Sequence, residues 1–230
     1  MKKTVIRGAL VALMAYLLAH PASAELNADS DFQYWNMEAI EGKINDKWKA
    51  YMEAEFRFGD DASKFYYQHT HLEIGYKVND WLEIAPGYRQ VWELFEKSVD
   101  EPGQEDWFAE ARPMINFLLK HKWKGWELRN RNRFEYRIFE IDKEDVFRYR
   151  NALLVNSPWK WTQWNINPFI ADEIFIQEND DFNRNRFYVG VNVDLMEHLT
   201  GRIFYLWQTS EKDNEWIDFN IIGTQLKFKF

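Results

Sequence analysis

Charged side chains at every second position are the feature of this sequence most able to do chemistry. In the segment LRNRNRFEYRIF, Arg129, Arg131, Arg133 and Arg137 would share one face of an extended strand with Glu135. A row of guanidinium groups along a passage would select anionic solutes, as rings of charge do in pores. In the alternative interpretation, glutamates of neighbouring strands pair with these arginines and fill the space between them.

Neighbouring segments carry charged residues on the corresponding face, so the row would extend into a charge wall over several strands. We predict that this charge wall consists of Arg89, Arg112, Arg129, Arg131, Arg133, Arg137, Arg148, Arg150, Glu53, Glu55, Glu110, Glu135 and Glu173. We predict that the wall faces water and that the protein is a narrow passive pore for small anionic solutes. In the alternative, arginines and glutamates pair with one another, the interior is sealed, and the protein is a structural envelope barrel.

The sequence gives little support to catalysis. His69, His71 and Glu73 would share one strand face, and they form the one cluster with spacing suited to metal or acid–base chemistry. Hydrogen bonding to neighbouring glutamate or arginine explains them more simply. No serine in a sharp turn has an oriented histidine partner. We therefore predict no catalytic residues, no metal, no cofactor and no enzyme activity, with an outer-membrane enzyme as the third alternative.

The elements that would position these side chains are β-strands, because apolar and polar residues alternate along most of the chain and no segment keeps a helical period. We predict strands at residues 32–44, 47–58, 65–78, 81–94, 106–121, 126–139, 145–157, 161–177, 184–196, 200–210 and 216–230. Tight turns alternate with longer acidic connections, as in outer-membrane barrels. The prediction is one all-β domain over residues 25–230, an antiparallel transmembrane β-barrel of ten to twelve strands.

The composition of the two strand faces distinguishes a membrane barrel from a soluble sandwich. Four arginines on one open strand face would repel one another, whereas inside a closed barrel glutamates can lie between them. The other face is apolar and ends in tryptophans beside the tight turns, which is typical of an aromatic girdle at a membrane interface. These tryptophans are Trp48, Trp81, Trp123, Trp126, Trp159, Trp161 and Trp164. A sandwich with core tryptophans at its strand ends is the alternative.

The N-terminus has the features of an export signal. A basic start and an apolar run precede Ala22-Ser23-Ala24, a small-x-small cleavage site, so residues 1–24 are predicted to be a Sec-type signal peptide. Its loss removes Lys2, Lys3 and Arg7, which takes the formal charge from −8 to −11. Such a charge disfavours nucleic acid as a partner. The chain has no cysteine, so no disulfide supports the fold.

The last segment, TQLKFKF, places Phe228 and Phe230 on its apolar face. A terminal aromatic residue on an alternating last strand resembles the signal that the barrel assembly machinery reads. We therefore interpret Phe228 and Phe230 as an assembly signal and predict that machinery as a partner. The last strand must also pair with another strand, because lipid cannot solvate an open edge.

The predicted strand count conflicts with the usual pattern of bacterial barrels. Eleven strands would place the first strand's start and the last strand's end at opposite ends of the barrel, whereas bacterial barrels normally have even counts. Either segment 32–44 is not a full strand, or another predicted strand is incorrectly assigned. The predicted range of ten to twelve strands covers these alternatives.

Several short motifs, in order along the chain, resemble the family called domain of unknown function 2490. They are PGYRQVWE (86–93), ARPMINF (111–117), RNRNRFEYR (129–137), FRYRN (147–151), PFIADEIF (168–175) and NRFYVGVNV (185–193). The resemblance spans nearly the whole chain after the signal. It implies an outer-membrane barrel of Gram-negative bacteria in contact with outer-membrane lipids. It implies no established activity, so no catalytic residues carry over.

Overall fold

The regular structure consists of β-strands, as the alternation of apolar and polar residues predicts. The computed structural model describes residues 29–96, 105–178, 181–212 and 214–230. Its strands are β1 (Asp31–Lys43), β2 (Trp48–Gly59), β3 (Lys64–Lys77), β4 (Leu82–Glu96), β5 (Glu105–Trp123), β6 (Trp126–Phe139), β7 (Val146–Asn156), β8 (Asn167–Gln177), β9 (Asp181–Met196), β10 (Leu199–Lys212) and β11 (Glu215–Lys229). Within these ranges no helix is long and apolar enough to cross a membrane. The predicted signal peptide lies outside the described residues.

The strands form one closed barrel of eleven members, which falls within the predicted range. Each strand pairs antiparallel with the next, but β1 and β11 pair in parallel, from Asp31 opposite Phe219 to Glu41 opposite Lys229. The prediction of a wholly antiparallel sheet is therefore wrong at this pair. An odd number of alternating strands leaves the first and last pointing the same way, so the closing pair must be parallel. β1 pairs along its length on both sides and is a full strand.

The connections separate into a tight-turn end and a long-loop end of the barrel. At the tight-turn end, the Asn45 side-chain oxygen accepts hydrogen bonds from the backbone nitrogens of Lys47 and Trp48. Asn79 makes the same pair of contacts with the backbone of Trp81 and Leu82. Asparagine favours turns because its side chain can bond the backbone two or three residues on. The near-identical segments KINDKW and YKVNDW therefore form equivalent turns.

Two ion pairs flank these turns, each at the end of a strand. Lys43 donates to Asp46 at 2.7 Å, and this contact lowers the pKa of the Asp46 carboxyl. Lys77 in the same way lowers the pKa of Asp80. Both acids are fully solvated, so the pairs keep the rim charged and add little stability.

The connection between β7 and β8 is longer than the sequence predicts. The prediction of a strand from residue 161 is wrong, because β8 begins at Asn167. Trp161 and Ile166 exchange two backbone hydrogen bonds of 2.9 and 2.8 Å and close a small loop. Within that loop Thr162 and Asn165 take positive φ angles of 62° and 47°, which an extended strand cannot contain.

The barrel has an apolar exterior and a charged interior. Leu72 and Ile203 on the outside are 55% and 53% exposed, whereas Glu110 and Glu135 on the inside are each 1% exposed. This distribution is the reverse of that in a soluble domain, whose buried residues are mostly apolar. Exposed apolar surface of this extent marks contact with a membrane or a partner.

Aromatic residues border the apolar exterior at both ends. Six of the seven predicted girdle tryptophans are exposed at the tight-turn end, and Trp126 is half-buried there. At the long-loop end, Phe65 packs against Trp107 with ring centroids 5.3 Å apart, and Phe182 packs against Trp216 at 5.5 Å. Sequence analysis missed this second band because its members are spread over several segments and include phenylalanines as well as tryptophans.

One side of the interior is apolar rather than charged. A buried cluster lies on the inner faces of β1, β8, β10 and β11 and consists of Trp35, Phe169, Phe204, Leu206, Phe219 and Ile221. The Phe204 ring lies over Gly223, its cross-strand partner, so closely that a Cβ at that position would overlap the ring. Glycine permits this close approach because it has no side chain.

Candidate functional site: a divided, cation-rich lumen

Arginines and aromatic rings stack across the middle of the barrel. The Arg57 guanidinium carbon lies 3.6 Å from the centroid of Trp35 and 4.0 Å from that of Tyr67. The Arg186 guanidinium carbon lies 4.8 Å from the centroid of the same Trp35 ring. A cation over an aromatic face is attracted by the ring's quadrupole, and planar guanidinium suits this contact. Trp35 thus joins two arginines from β2 and β9.

A second ring continues the stack toward the opposite wall. Phe175 of β8 is 1% exposed and lies 4.8 Å from the Arg186 guanidinium and 4.5 Å from that of Arg150. The stack therefore runs from β3 through β2, β1, β9 and β8 to β7. We call it the Arg–aromatic partition, and its members are Tyr67, Arg57, Trp35, Arg186, Phe175 and Arg150.

Two carboxylates hold the arginines of the partition. Glu55 accepts a hydrogen bond from Arg57 Nε at 2.6 Å. Glu173 Oε1 accepts from Arg150 Nη2 at 2.8 Å and from Arg131 Nη2 at 2.7 Å. Charge-assisted contacts of this kind are short and strong, and the planar fork of arginine orients them. The partition is therefore fixed by both stacking and ion pairing.

A second network of ion pairs lies beside the partition, between β5, β6 and β7. Arg112 donates to Glu110 at 2.7 Å, and Arg137 donates to the same carboxylate at 2.6 and 3.0 Å. Arg148 pairs with Glu135, which is buried.

Two chambers adjoin along the Arg–aromatic partition. The tight-turn chamber has a volume of about 490 Å³, and the long-loop chamber has a volume of about 740 Å³. They share four lining residues, all of them arginines: Arg57, Arg89, Arg150 and Arg186. Three of the four belong to the partition, which places it at the boundary between the chambers.

Both chambers carry an excess of cationic side chains. The described lining of the tight-turn chamber contains twelve lysines and arginines against seven aspartates and glutamates. That of the long-loop chamber contains eleven against four. The whole chain has the opposite sign, with a formal charge of −8. The acidic residues therefore lie mostly outside the lumen, and the interior attracts anions.

All members of the predicted charge wall lie on lumen faces, but their surroundings differ. Arg129 lies near the tight-turn end, where it donates to Glu127 at 3.0 Å, and its side chain is 43% exposed. Arg89 lies 3.6 Å from Glu53. Arg133 is buried and bonds the Asn116 side-chain oxygen at 2.8 Å instead of a carboxylate. A role of the wall in solute selection stays a prediction.

The histidines predicted to share a face are buried among glutamates. His69 Nε2 lies 3.3 Å from Glu53, and its Nδ1 lies 3.7 Å from Glu55. These three residues have the ligand types and proximity of a metal site. Arg57 and Arg89 already contact the two carboxylates, so a divalent cation would have to displace a guanidinium in an interior that is already cationic. We assign no metal to this cluster.

The other predicted pair, His71 and Glu73, lies in the tight-turn chamber with 3.4 Å between His71 Nε2 and a Glu73 oxygen. Glu73 also accepts from Asn116 at 2.6 Å. These contacts involve His71 Nε2 and the Glu73 carboxylate, whereas the buried Nδ1 atoms of His69 and His71 have no hydrogen-bond partner in the described part of the chain. The absence of acid–base chemistry at these residues stays a prediction.

The predicted assembly signal lies at the parallel seam. Phe228 and Phe230 are exposed on the outer face. The Phe230 backbone nitrogen donates to Glu41 at 3.1 Å, and its carbonyl accepts from Lys43 at 2.8 Å. The terminal residue therefore also closes the barrel, and recognition by the assembly machinery stays a prediction.

Sequence analysis omitted five of the six members of the partition: Tyr67, Arg57, Trp35, Arg186 and Phe175. Alternation places Arg57 and Arg186 on inner faces, but their charges alone do not distinguish them from other lumen arginines. Trp35 and Phe175 also face inward, because each lies an even number of residues from an inward-facing charged residue of its own strand. An aromatic residue on an otherwise polar strand face was the signal that could have found them.

The closed sheet, the apolar exterior and the charged lumen define the class of inside-out β-barrels. Within that class the chain belongs to the family described as Protein of unknown function (DUF2490), whose model matches residues 32–218. The chain is 25% identical over 218 residues to the Uncharacterized protein MexAM1_META1p0181 of Methylorubrum extorquens, and the alignment covers 90% of each protein.

A solved structure shares the fold. LpxR from Salmonella typhimurium superposes with a TM-score of 0.52 and 12% identity, covering 84% of this chain and 87% of that one. At this identity the likeness shows the barrel architecture alone. One fold hosts many functions, so the absence of enzyme activity stays a prediction.

Proposed function

We propose that the protein is an outer-membrane β-barrel whose lumen is closed by the Arg–aromatic partition. The observation that carries the proposal is the stack from Tyr67 to Arg150, which crosses the lumen at the boundary of two chambers. Buried ion pairs fix this stack, and breaking one partner of such a pair is strongly unfavourable. The protein is then a non-conducting envelope barrel rather than an open pore.

The outer-membrane location is supported by the surface of the barrel. Its apolar exterior lies between two aromatic bands, the arrangement of membrane-spanning barrels. A closed barrel also satisfies all strand hydrogen bonds internally, as lipid requires. We propose that residues 1–24 direct Sec-type export and that outer-membrane lipids and the barrel assembly machinery are partners.

Envelope fractionation with unboiled and boiled gels tests this location. We expect the protein in the outer-membrane fraction, with a mobility that changes on heating because the closed barrel resists detergent. A freely soluble periplasmic product with the same mobility in both gels would contradict the proposal.

Recordings in planar bilayers test the closure. We expect the wild-type protein to be electrically silent, because the partition leaves no continuous aqueous path. Replacing both rings, Trp35→Ala with Phe175→Ala, should produce conducting events. A steady conductance of the wild type would overturn the closed-lumen proposal.

A narrow pore for small anionic solutes is the second candidate. The cation excess of both chambers favours it, since the fixed charge of a lumen determines ion preference. If the wild type conducts, reversal potentials in a KCl gradient should show anion preference. The double substitution Arg131→Glu with Arg133→Glu should then weaken or invert that preference.

A further inference from the structure

One buried arginine of the lumen has an incomplete set of partners. Arg133 is 2% exposed, and its Nη1 atom has no hydrogen-bond partner in the described part of the chain. It forms no ion pair there, and its cross-strand partner is another arginine, Arg150. Arg131 lies two residues away on the same face. A buried guanidinium with an unsatisfied donor is destabilising, so this position indicates an anion supplied from outside the chain.

Two further guanidinium groups of the tight-turn chamber have free donors. The Nε atoms of Arg89 and Arg131 are buried and have no hydrogen-bond partner in the described ranges. Both side chains line the tight-turn chamber together with Arg133. Planar guanidinium forks match the oxygens of phosphate and carboxylate groups, which accept two parallel hydrogen bonds. The three residues together therefore suit one anionic group.

The chamber also has an apolar side. Leu154, Phe169 and Phe204 line the same chamber and belong to or pack against the buried apolar cluster. The chamber's volume of about 490 Å³ lies within the ordinary range of small-molecule pockets. Its lining reaches the exposed residues Lys160 and Lys229 at the tight-turn end, so a ligand can enter from the water on that side.

We propose that the tight-turn chamber binds a small organic anion. Its phosphate or carboxylate head lies among Arg89, Arg131 and Arg133, and its compact apolar body lies against Phe169 and Phe204. This assignment goes beyond the closed barrel and depends on neither membrane location nor conductance. The ligand-binding proposal and the closed-barrel proposal can therefore fail separately.

Isothermal titration of the purified protein in detergent tests the site with four probes: phenyl phosphate, benzoate, inorganic phosphate and phenol. We expect phenyl phosphate or benzoate to bind most tightly, inorganic phosphate to bind more weakly, and phenol not to bind. Arg133→Gln should weaken binding of the favoured probe roughly 10- to 100-fold, the effect of losing a charged hydrogen bond.

The matched control is Arg184→Gln, which removes a half-buried arginine that lines only the long-loop chamber. This variant should bind the probes as the wild type does. A second readout separates binding from folding. Ligand-free Arg133→Gln should unfold at the wild-type temperature or above it, because it has lost a buried guanidinium with an unsatisfied donor.

Three results would overturn the proposal. The first is that neither organic anion binds, and the second is that Arg133→Gln binds as tightly as the wild type. The third is equal loss of binding in Arg133→Gln and Arg184→Gln. Equal affinity for inorganic phosphate and phenyl phosphate would overturn the assigned contact of the ligand body with the apolar side.

Discussion

The guanidinium carbon of Arg57 lies 3.6 Å from the centroid of the Trp35 ring, its cross-strand partner. The pair belongs to the stack that separates the two chambers, and Glu55 orients the guanidinium by accepting a hydrogen bond from Arg57 Nε. Only a flat cation can lie against two rings and bond a carboxylate in its own plane. The closure of the lumen therefore depends on the shape of Arg57 as well as its charge.

Arg57→Lys should make the barrel leaky. Lysine keeps the positive charge but lacks the plane that stacks on Trp35, so gaps should form in the partition. We expect brief conducting events in planar bilayers where the wild type is silent. Arg202→Lys is the matched control, since Arg202 contacts Phe169 outside the partition. Conductance in both variants, or in neither, would contradict the role of Arg57.

Glu173→Gln should destabilise the barrel strongly. Glu173 is 3% exposed and accepts from Arg150 and Arg131, so the amide leaves two cations without their carboxylate. Breaking a buried pair in this way costs about 3–5 kcal/mol. Urea unfolding of the detergent-solubilised protein measures this loss of stability, and heat-modifiable gel mobility reports the fraction that is still folded. Asp46→Asn, in an exposed turn pair, should leave the unfolding midpoint nearly unchanged.

Gly223→Ala should also lower stability, for a steric reason. The added methyl group would overlap the Phe204 ring, and such overpacking typically costs about 1–3 kcal/mol. Adding Phe204→Leu should restore part of the lost stability, because the smaller side chain frees the space above residue 223. If the double variant is no more stable than Gly223→Ala alone, the overlap is not the cause.

Deleting Phe230 should impair barrel assembly in cells. The deletion removes both the terminal ring and two backbone hydrogen bonds of the seam with β1. Phe230→Ala separates these contributions, because it keeps the backbone bonds and loses the ring. We expect both variants to yield less heat-modifiable protein in the outer-membrane fraction, and Phe230→Tyr to behave as the wild type. Normal assembly of Phe230→Ala would assign the effect to the seam rather than to a recognition signal.

Alternation was enough to predict most strands and the face on which each charged residue lies. Strands such as β6 and β9 fall where the alternating segments place them, because one face packs inward and the other outward. It failed at β8, where Trp161 and Trp164 continue an apparent strand pattern but lie in a closed loop with positive φ angles. Local turn geometry there overrides the alternation.

The identity of each ion-pair partner was not predictable. Arg131 of β6 pairs with Glu173 of β8, across the intervening strand β7. Such contacts depend on how far neighbouring strands are offset and on how side chains reach across the lumen, and alternation specifies neither. For the same reason the sequence did not show that Trp35 and Phe175 would divide the interior.

The parallel pairing of β1 with β11 separates the two ends of the folded chain in space. Ser30, just before β1, bonds Asp218 at the long-loop end, whereas Phe230 lies at the tight-turn end. In a barrel with an even strand count, both ends would lie on one side of the bilayer. If the barrel spans the outer membrane as proposed, an epitope inserted before β1 and one attached after Phe230 would face different compartments. Antibody added to intact cells would therefore detect only one of the two labels.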